Sequence, residues 1–143
     1  NRREVQGRAV ILRRGGPEIT DRYGIILALG FVEGEGGSSG RSVNAALVRT
    51  GLASIYVTGP KAVTEADLAP LLDAQALAIS ERKGIWKQRL ARARESQPLI
   101  ATRFRIHRKD CPEVRSRQLP PIVSIEEELR RGKSFCRSCK PLE

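Results

Sequence analysis

The chain has 143 residues, 40% of them hydrophobic but only six aromatic, with a formal charge of +10 and a pI of about 10.4. That length holds one medium domain, or a small domain beside a metal-stapled one. The apolar fraction excludes a chain disordered throughout, and no apolar run approaches the ~18 residues of a membrane span. A surface this basic suits a polyanion, nucleic acid before an anionic membrane, set against the plainer reading of a solvated basic face.

A first unit is expected over residues 1–95. Arg8-Ala-Val-Ile-Leu-Arg-Arg14 and the stretch from Gly24 to Val32 are apolar and β-branched, and predict two antiparallel strands. The run Glu33-Gly-Glu-Gly-Gly-Ser-Ser-Gly40 reads as a mobile strand-to-helix connection. A phosphate cradle would need Lys-Ser/Thr in register after it, and none follows. Ser42 to Thr50 predicts a short helix with Val43, Ala46, Leu47 and Thr50 on one face and Gly51 as its C′ stop, after which Leu52 to Val57 runs extended. A longer helix starts near Thr64, which forms a capping box with Asp67 in place of the usual Glu, and Pro70 falls in its early part. Leu68, Leu71, Leu72, Gln75, Ala78, Ile79 and Arg82 share one face, read as core, and Trp86 anchors the break at Gly84. Lys87, Arg89, Arg92 and Arg94 make the next helical stretch basic until Ser96-Gln-Pro98, the expected boundary with a second unit over 96–143.

In that second unit the alternation from Ile100 to Ile106 predicts one strand leading into His107, and Pro120 to Val123 a further extended piece. Ser124 and Glu127 form a capping box for a short helix ending at Gly132. Glu126, Glu127 and Glu128 fall in its first turn and Arg130 and Arg131 in its last, so the glutamates read as dipole and solvent residues, not as catalytic acids. His107 and Cys111 make an H-x3-C pair and Cys136 and Cys139 a C-x2-C pair, separated by 24 residues and including all three cysteines. Two short ligand pairs are what a zinc shell of about four donors is built from, and three cysteines do not close a disulfide framework. With all four positions filled by protein, no place is left for water. The expected cofactor is therefore a structural zinc that stabilises the fold and hydrolyses nothing. Zinc thiolates fit a reducing compartment, which favours the cytoplasm. The start at Asn1 without a methionine reads as a fragment or processed chain whose leader, if any, is not seen. Cations crowd the same segment: Arg103, Arg105, Arg108, Lys109, Arg115, Arg117, Arg137 and Lys140 are the candidate phosphate contacts, with Arg130, Arg131 and Lys133 close by in sequence. Base specificity is not readable from them.

Five pieces in order carry a resemblance over about residues 8–90: Thr20-Asp-Arg-Tyr-Gly24, the strand to Val32, Val43 to Ala53 with Tyr56 following, Ala74-Gln75, and Gly84-Ile-Trp86. Together they resemble the C-terminal half of a staphylococcal-nuclease-type (thermonuclease) domain. The resemblance implies an OB barrel with helices, and phosphodiester cleavage with calcium, arginines, a glutamate and aspartates. The chemistry would be a carboxylate base, a calcium clamp and guanidiniums that neutralise the phosphorane. Two departures stand out. The position that carries an arginine after the family's Tyr-Gly is Ile25 here, and Arg22, three residues early on the turn, is no equivalent. The strands that hold the other catalytic groups have no counterpart ahead of Arg8. Asp21 and Tyr23 then read as a turn-stabilising acid and a packed ring.

The later stretch, His107 to Pro112, Ser124 to Gly132 and Phe135 to Pro141, resembles the small zinc domain of the Ada family, bacterial repair proteins of DNA methylphosphotriesters. In that family the first ligand is the thiolate that accepts the methyl group. His107 in its place binds zinc but supplies no such nucleophile. The fold class expected is α+β, a partial OB-fold plus a small zinc-stapled α+β domain. No catalytic residue is assigned to the chain, and the function expected is nucleic-acid binding, DNA favoured over RNA, with no membrane. Two other readings stay open: the C-terminal part of a thermonuclease-like phosphodiesterase whose active residues lie outside this chain, and a zinc-stabilised interaction or dimerisation domain. The half-barrel would be completed by an N-terminal segment, by a second copy, or by the zinc unit on its open edge.

Overall fold

A computed structural model describes residues 5–21, 23–37, 39–57, 59, 61–95 and 98–141. Arg22, the Ser96-Gln97 break and the Arg94 side chain fall outside the described residues. The fold is mixed α+β: among the described residues, a partial OB-fold sheet is followed by three helices, and then by a second small sheet with a fourth helix.

Strands β1 (Val10–Arg13), β2 (Leu29–Glu33) and β3 (Ser39–Ser42) pair antiparallel in that order, with Val10 opposite Val32 and Leu12 opposite Gly30. The glycine-serine run expected as a mobile connection instead turns through a 3-10 segment at Glu35–Gly37 and supplies β3, with a bulge between Phe31 and Glu33. Gly40 makes this close return feasible, since a Cβ there would stand 2.6 Å from the Val32 carbonyl oxygen. β2 begins later than Gly24 because Asp21 folds the intervening residues into a turn. Its Oδ1 accepts the amides of Tyr23 and Ile25, each at 2.9 Å. Tyr23, expected as a packed ring, is 71% exposed on that turn.

Helix α1 (Val43–Arg49) starts at Ser42, whose Oγ accepts the Ala45 amide at 3.2 Å. It turns Val48 into the core, while Val43, Ala46 and Leu47 of the expected face are half-buried and Thr50 is exposed. Gly51 follows with φ +70, and a Cβ there would lie 2.3 Å from the Lys83 carbonyl oxygen. The Ile85 amide donates to the Gly51 carbonyl at 3.0 Å, so the end of α1 is pressed against the start of α3 (Ile85–Glu95). Between them α2 (Glu65–Ser80) is capped by Thr64, which accepts the Asp67 amide at 3.3 Å, and it buries Ala74, Gln75, Ala78 and Ile79. Arg82 lies past its end and is exposed, because the chain leaves the helix there with φ +50. Arg49 donates to both carboxylate oxygens of Glu81, at 3.0 and 2.7 Å. With Lys83 beside it, this holds the exposed Glu81 carboxyl down to about 2.

The alternating stretch after residue 98 is a hairpin of two strands, β4 (Leu99–Ala101) and β5 (Arg105–Arg108). Thr102 closes it, donating from its amide and its hydroxyl to the Arg105 carbonyl at 2.8 and 3.2 Å. Pro121 bridges to Ile100, and α4 (Ile125–Arg130) carries the chain to β6 (Ser134–Phe135), which runs parallel to β5. Ser124 caps α4 as expected, accepting the Glu127 amide at 3.2 Å. The glutamates are spent on neighbours: Glu127 and Glu128 pair with Arg131, and Glu128 also with Lys133.

One apolar cluster joins the two sheets' territories. Ala78, Ile79, Trp86 and Leu90 from α2 and α3 pack with Leu99, Ile106 and Leu129, so the core crosses residue 95 without a break. Gln75 adds a polar tie, accepting the Ile55 amide at 2.9 Å and donating to the Leu129 carbonyl at 2.6 Å from a fully buried position. Replacing it by leucine leaves a buried N–H and a buried C=O without partners, at a cost of roughly 1–3 kcal/mol. Gln75→Leu should therefore lower the denaturant midpoint with little change in slope; an unchanged midpoint would show that the tie contributes nothing.

Candidate metal centre and cationic surface

β5 delivers His107 from the middle of the second sheet, and the turn after it brings Cys111 back, the Cys111 amide donating to the Arg108 carbonyl at 3.1 Å. β6 delivers Cys136, and a turn closed by the Lys140 amide on the Cys136 carbonyl, also 3.1 Å, returns Cys139. All four residues are buried, and one donor atom from each lies within 4.8 Å of the others. The backbone points N–H groups at the sulfurs: Arg108 at Cys139 Sγ (3.4 Å) and Ser138 at Cys136 Sγ (3.3 Å). Ile100, Val114 and Leu119 wrap the three thiols in apolar surface.

These residues can hold a metal ion, and their surroundings fit one. His107 Nε2 lies 3.2 Å from Thr102 Oγ1, while Nδ1 is buried with no hydrogen-bond partner. An imidazole offering Nδ1 to a cation carries its proton on Nε2, where Thr102 accepts it, and such an outer partner fixes the tautomer. Burial pushes the His107 pKa below its usual value, with Glu113 opposing and Arg105 and Arg117 adding, which favours the neutral ligating form. Burial likewise pushes Cys139 up to about 12. The Arg108 amide opposes this, and Cys111 and Cys136 reinforce it. A thiol held that high is poorly suited to ionise alone, and a divalent cation among the three is the charge that reverses this.

The first half of the chain touches this centre through Tyr56. Its ring is sandwiched between the guanidiniums of Arg105 and Arg137, each 4.0 Å from the centroid. Arg105 also donates to the Val57 carbonyl at 2.8 Å.

A family model described as staphylococcal nuclease homologue (SNase) matches residues 1–88. The chain belongs to the SNase family. No curated protein matches it. The SNase match ends inside α3, so all four donor residues lie beyond it. Within the SNase unit, Ile25 stands on the Asp21 turn and is 62% exposed.

The cations expected as phosphate contacts do not sit alike. Arg103 is exposed, 5.1 Å from the Phe104 ring centre, and Lys109, Arg115, Arg117, Arg137 and Lys140 are exposed on the turns that carry or follow the donors. Arg108 is half-buried and paired with Asp110 at 3.3 Å, and Arg105 is the half-buried brace on Tyr56 and the SNase backbone. Three residues of the centre escaped sequence reasoning. Thr102 and Glu113 lack motif spacing, although Glu113, which accepts from Ser138 and lies 3.6 Å from Cys136 Sγ, follows Cys111 by two. Tyr56 was legible only as part of the SNase pattern. Cobalt(II) is a direct probe of the centre: it should bind one per chain with the intense visible bands of tetrahedral thiolate coordination. Cys139→Ala should abolish those bands and unfold the second sheet, whereas a folded variant with the same spectrum would exclude Cys139 as a ligand.

Proposed function

We propose that this SNase-family chain is a nucleic-acid-binding module, DNA before RNA, in which residues 96–143 form an Ada-like unit held by a structural zinc with His107, Cys111, Cys136 and Cys139 as ligands. The observation that carries the reading is the exposure of Lys109 and Arg137 on the turns that present the four donors and of Arg115 and Arg117 just after Cys111. A metal that fixes those turns fixes a cationic surface, in a chain whose formal charge is +10. Three thiolates and a divalent ion leave the centre at about −1, so the surface stays basic. A cysteine-rich closed shell suits a reducing compartment such as the cytoplasm.

Residues 1–95 supply the SNase scaffold without hydrolysis of their own in this reading. Ile25 cannot neutralise a phosphorane, and a histidine as first ligand of the zinc unit provides no thiolate to accept a methyl group. Binding should be electrostatic and sequence-tolerant. In anisotropy titrations with labelled oligonucleotides, the log–log dependence of affinity on salt should have a slope of about −3 or steeper, as four or more phosphate contacts require. Absence of retardation or anisotropy change at low salt would overturn the proposal, as would calcium-dependent cleavage by this chain its non-catalytic part.

A further inference from the structure

A cleft of about 560 Å³ opens where the SNase unit meets the second metal turn. Arg89 and Arg92 reach it from α3, one turn apart. Arg137 and Lys140 reach it from the Cys136–Lys140 turn, and Ser54 and Ser134 line it between them. No carboxylate is among the described residues that line this cleft. The contrast with its neighbour is direct: a cavity of about 630 Å³ that shares Tyr56 and Arg137 with it is lined by Arg105 as well, but Glu18, Asp21 and Glu113 share its wall. Arg137 lies on the rim that the two cavities share, whereas Arg89, Arg92 and Lys140 line only the first.

Two further observations mark this cleft as a site for an anion. Ser134 is only 7% exposed, and its Oγ has no hydrogen-bond partner. A buried hydroxyl without a partner is costly unless a ligand uses it. Arg89 is half-buried, donates to Ser54 Oγ at 3.2 Å, and burial alone drives its pKa below the usual value. A guanidinium partly desolvated beside a neutral hydroxyl gains from an incoming negative charge.

We propose that this cleft, with Arg89 and Arg92 on one wall and Arg137 and Lys140 on the other, binds a backbone phosphate of a single nucleic-acid strand, the Ser134 hydroxyl donating to a phosphate oxygen. The inference rests on the nucleic-acid reading above and locates its strongest contact. A single strand fits better than a duplex because the cations face one another across a concavity, so the backbone must enter it, and a flexible strand does so without deforming a helix. The metal turn is one wall of the cleft. The turn that returns Cys139 to the centre also sets Arg137 and Lys140, the latter with a left-handed φ of +42. The Arg105–Tyr56–Arg137 stack then ties that wall to the SNase unit.

The test measures binding of the full zinc-loaded chain to a labelled single-stranded DNA and its duplex, as affinity against salt. Arg89→Gln with Arg92→Gln should weaken single-strand binding about tenfold or more and flatten the salt slope by roughly 0.7–1.4, the loss of one to two phosphate contacts. Lys87→Gln removes the same kind of charge from the same helix outside the cleft, and should leave the slope unchanged. Ser134→Ala alters no charge and removes a hydroxyl that has no partner in the free protein. It should keep or raise the melting temperature and weaken single-strand binding about fivefold. Wild-type slope in the Arg89/Arg92 variant, or an equal effect from Lys87→Gln, would overturn the cleft while leaving nucleic-acid binding intact. Equal losses for duplex and single strand would overturn the choice of strand. A wild-type chain that binds neither would instead remove the reading on which the cleft depends.

Discussion

Four buried donor atoms within 4.8 Å of one another form the constraint on which the C-terminal half of this molecule depends. Three thiols and an imidazole packed that closely among Ile100, Val114 and Leu119 have few ways to be satisfied. The Nδ1 of His107 has no partner, and Cys139 is driven far from ionisation by burial and by its two neighbours. A divalent cation would resolve all of this at once, because it would take the nitrogen lone pair and turn crowded thiols into ligands. It would thereby tie together the two turns that present the donors, and exposed arginines and lysines project from or just after those turns.

The same constraint reaches the SNase unit through side chains that sequence position alone would keep apart. Gln75 joins the extended 53–57 segment to α4, and Trp86 and Ile79 share their packing with Leu99, Ile106 and Leu129. Arg105 reaches from β5 to the Val57 carbonyl and to one face of Tyr56, and Arg137 covers the other face. Guanidiniums that stack on a ring keep their charge while losing freedom, a useful property at the rim of the proposed phosphate site. In the function proposed above, the SNase scaffold is the platform against which a metal-fixed cationic wall would be held, and the Asp21 turn, with Ile25 at the position expected for arginine, would serve only as architecture.

Much of this was legible in the chain itself where a local rule governs. Thr64 and Ser124 cap the helices they were expected to cap, and Ser42 does the same for α1, because a hydroxyl before a helix has one good acceptor role. The H-x3-C and C-x2-C pairs converge because each is short enough to fold as a single turn. What failed was non-local. The glycine-serine run became β3 because its small residues allow a backbone approach that composition reads as flexibility. The stretch 100–106 alternates as one strand would, yet Thr102 turns it into a hairpin through bonds that need the carbonyl of Arg105 in place. Arg89 and Arg92 looked like an ordinary basic helix face, and only the docking of α3 beside the metal turn sets them opposite Arg137 and Lys140.

The link between metal and cationic surface is the centre of the account, and it is open to one direct measurement: single-strand affinity of the chain stripped of metal by a chelator, then reloaded with one equivalent of zinc. The stripped chain should lose most of its affinity, because the turns carrying Arg137 and Lys140 are no longer held, and zinc should restore it. Equal affinity with and without the metal would contradict the account, since the cationic surface would then stand independently of the four donors beneath it.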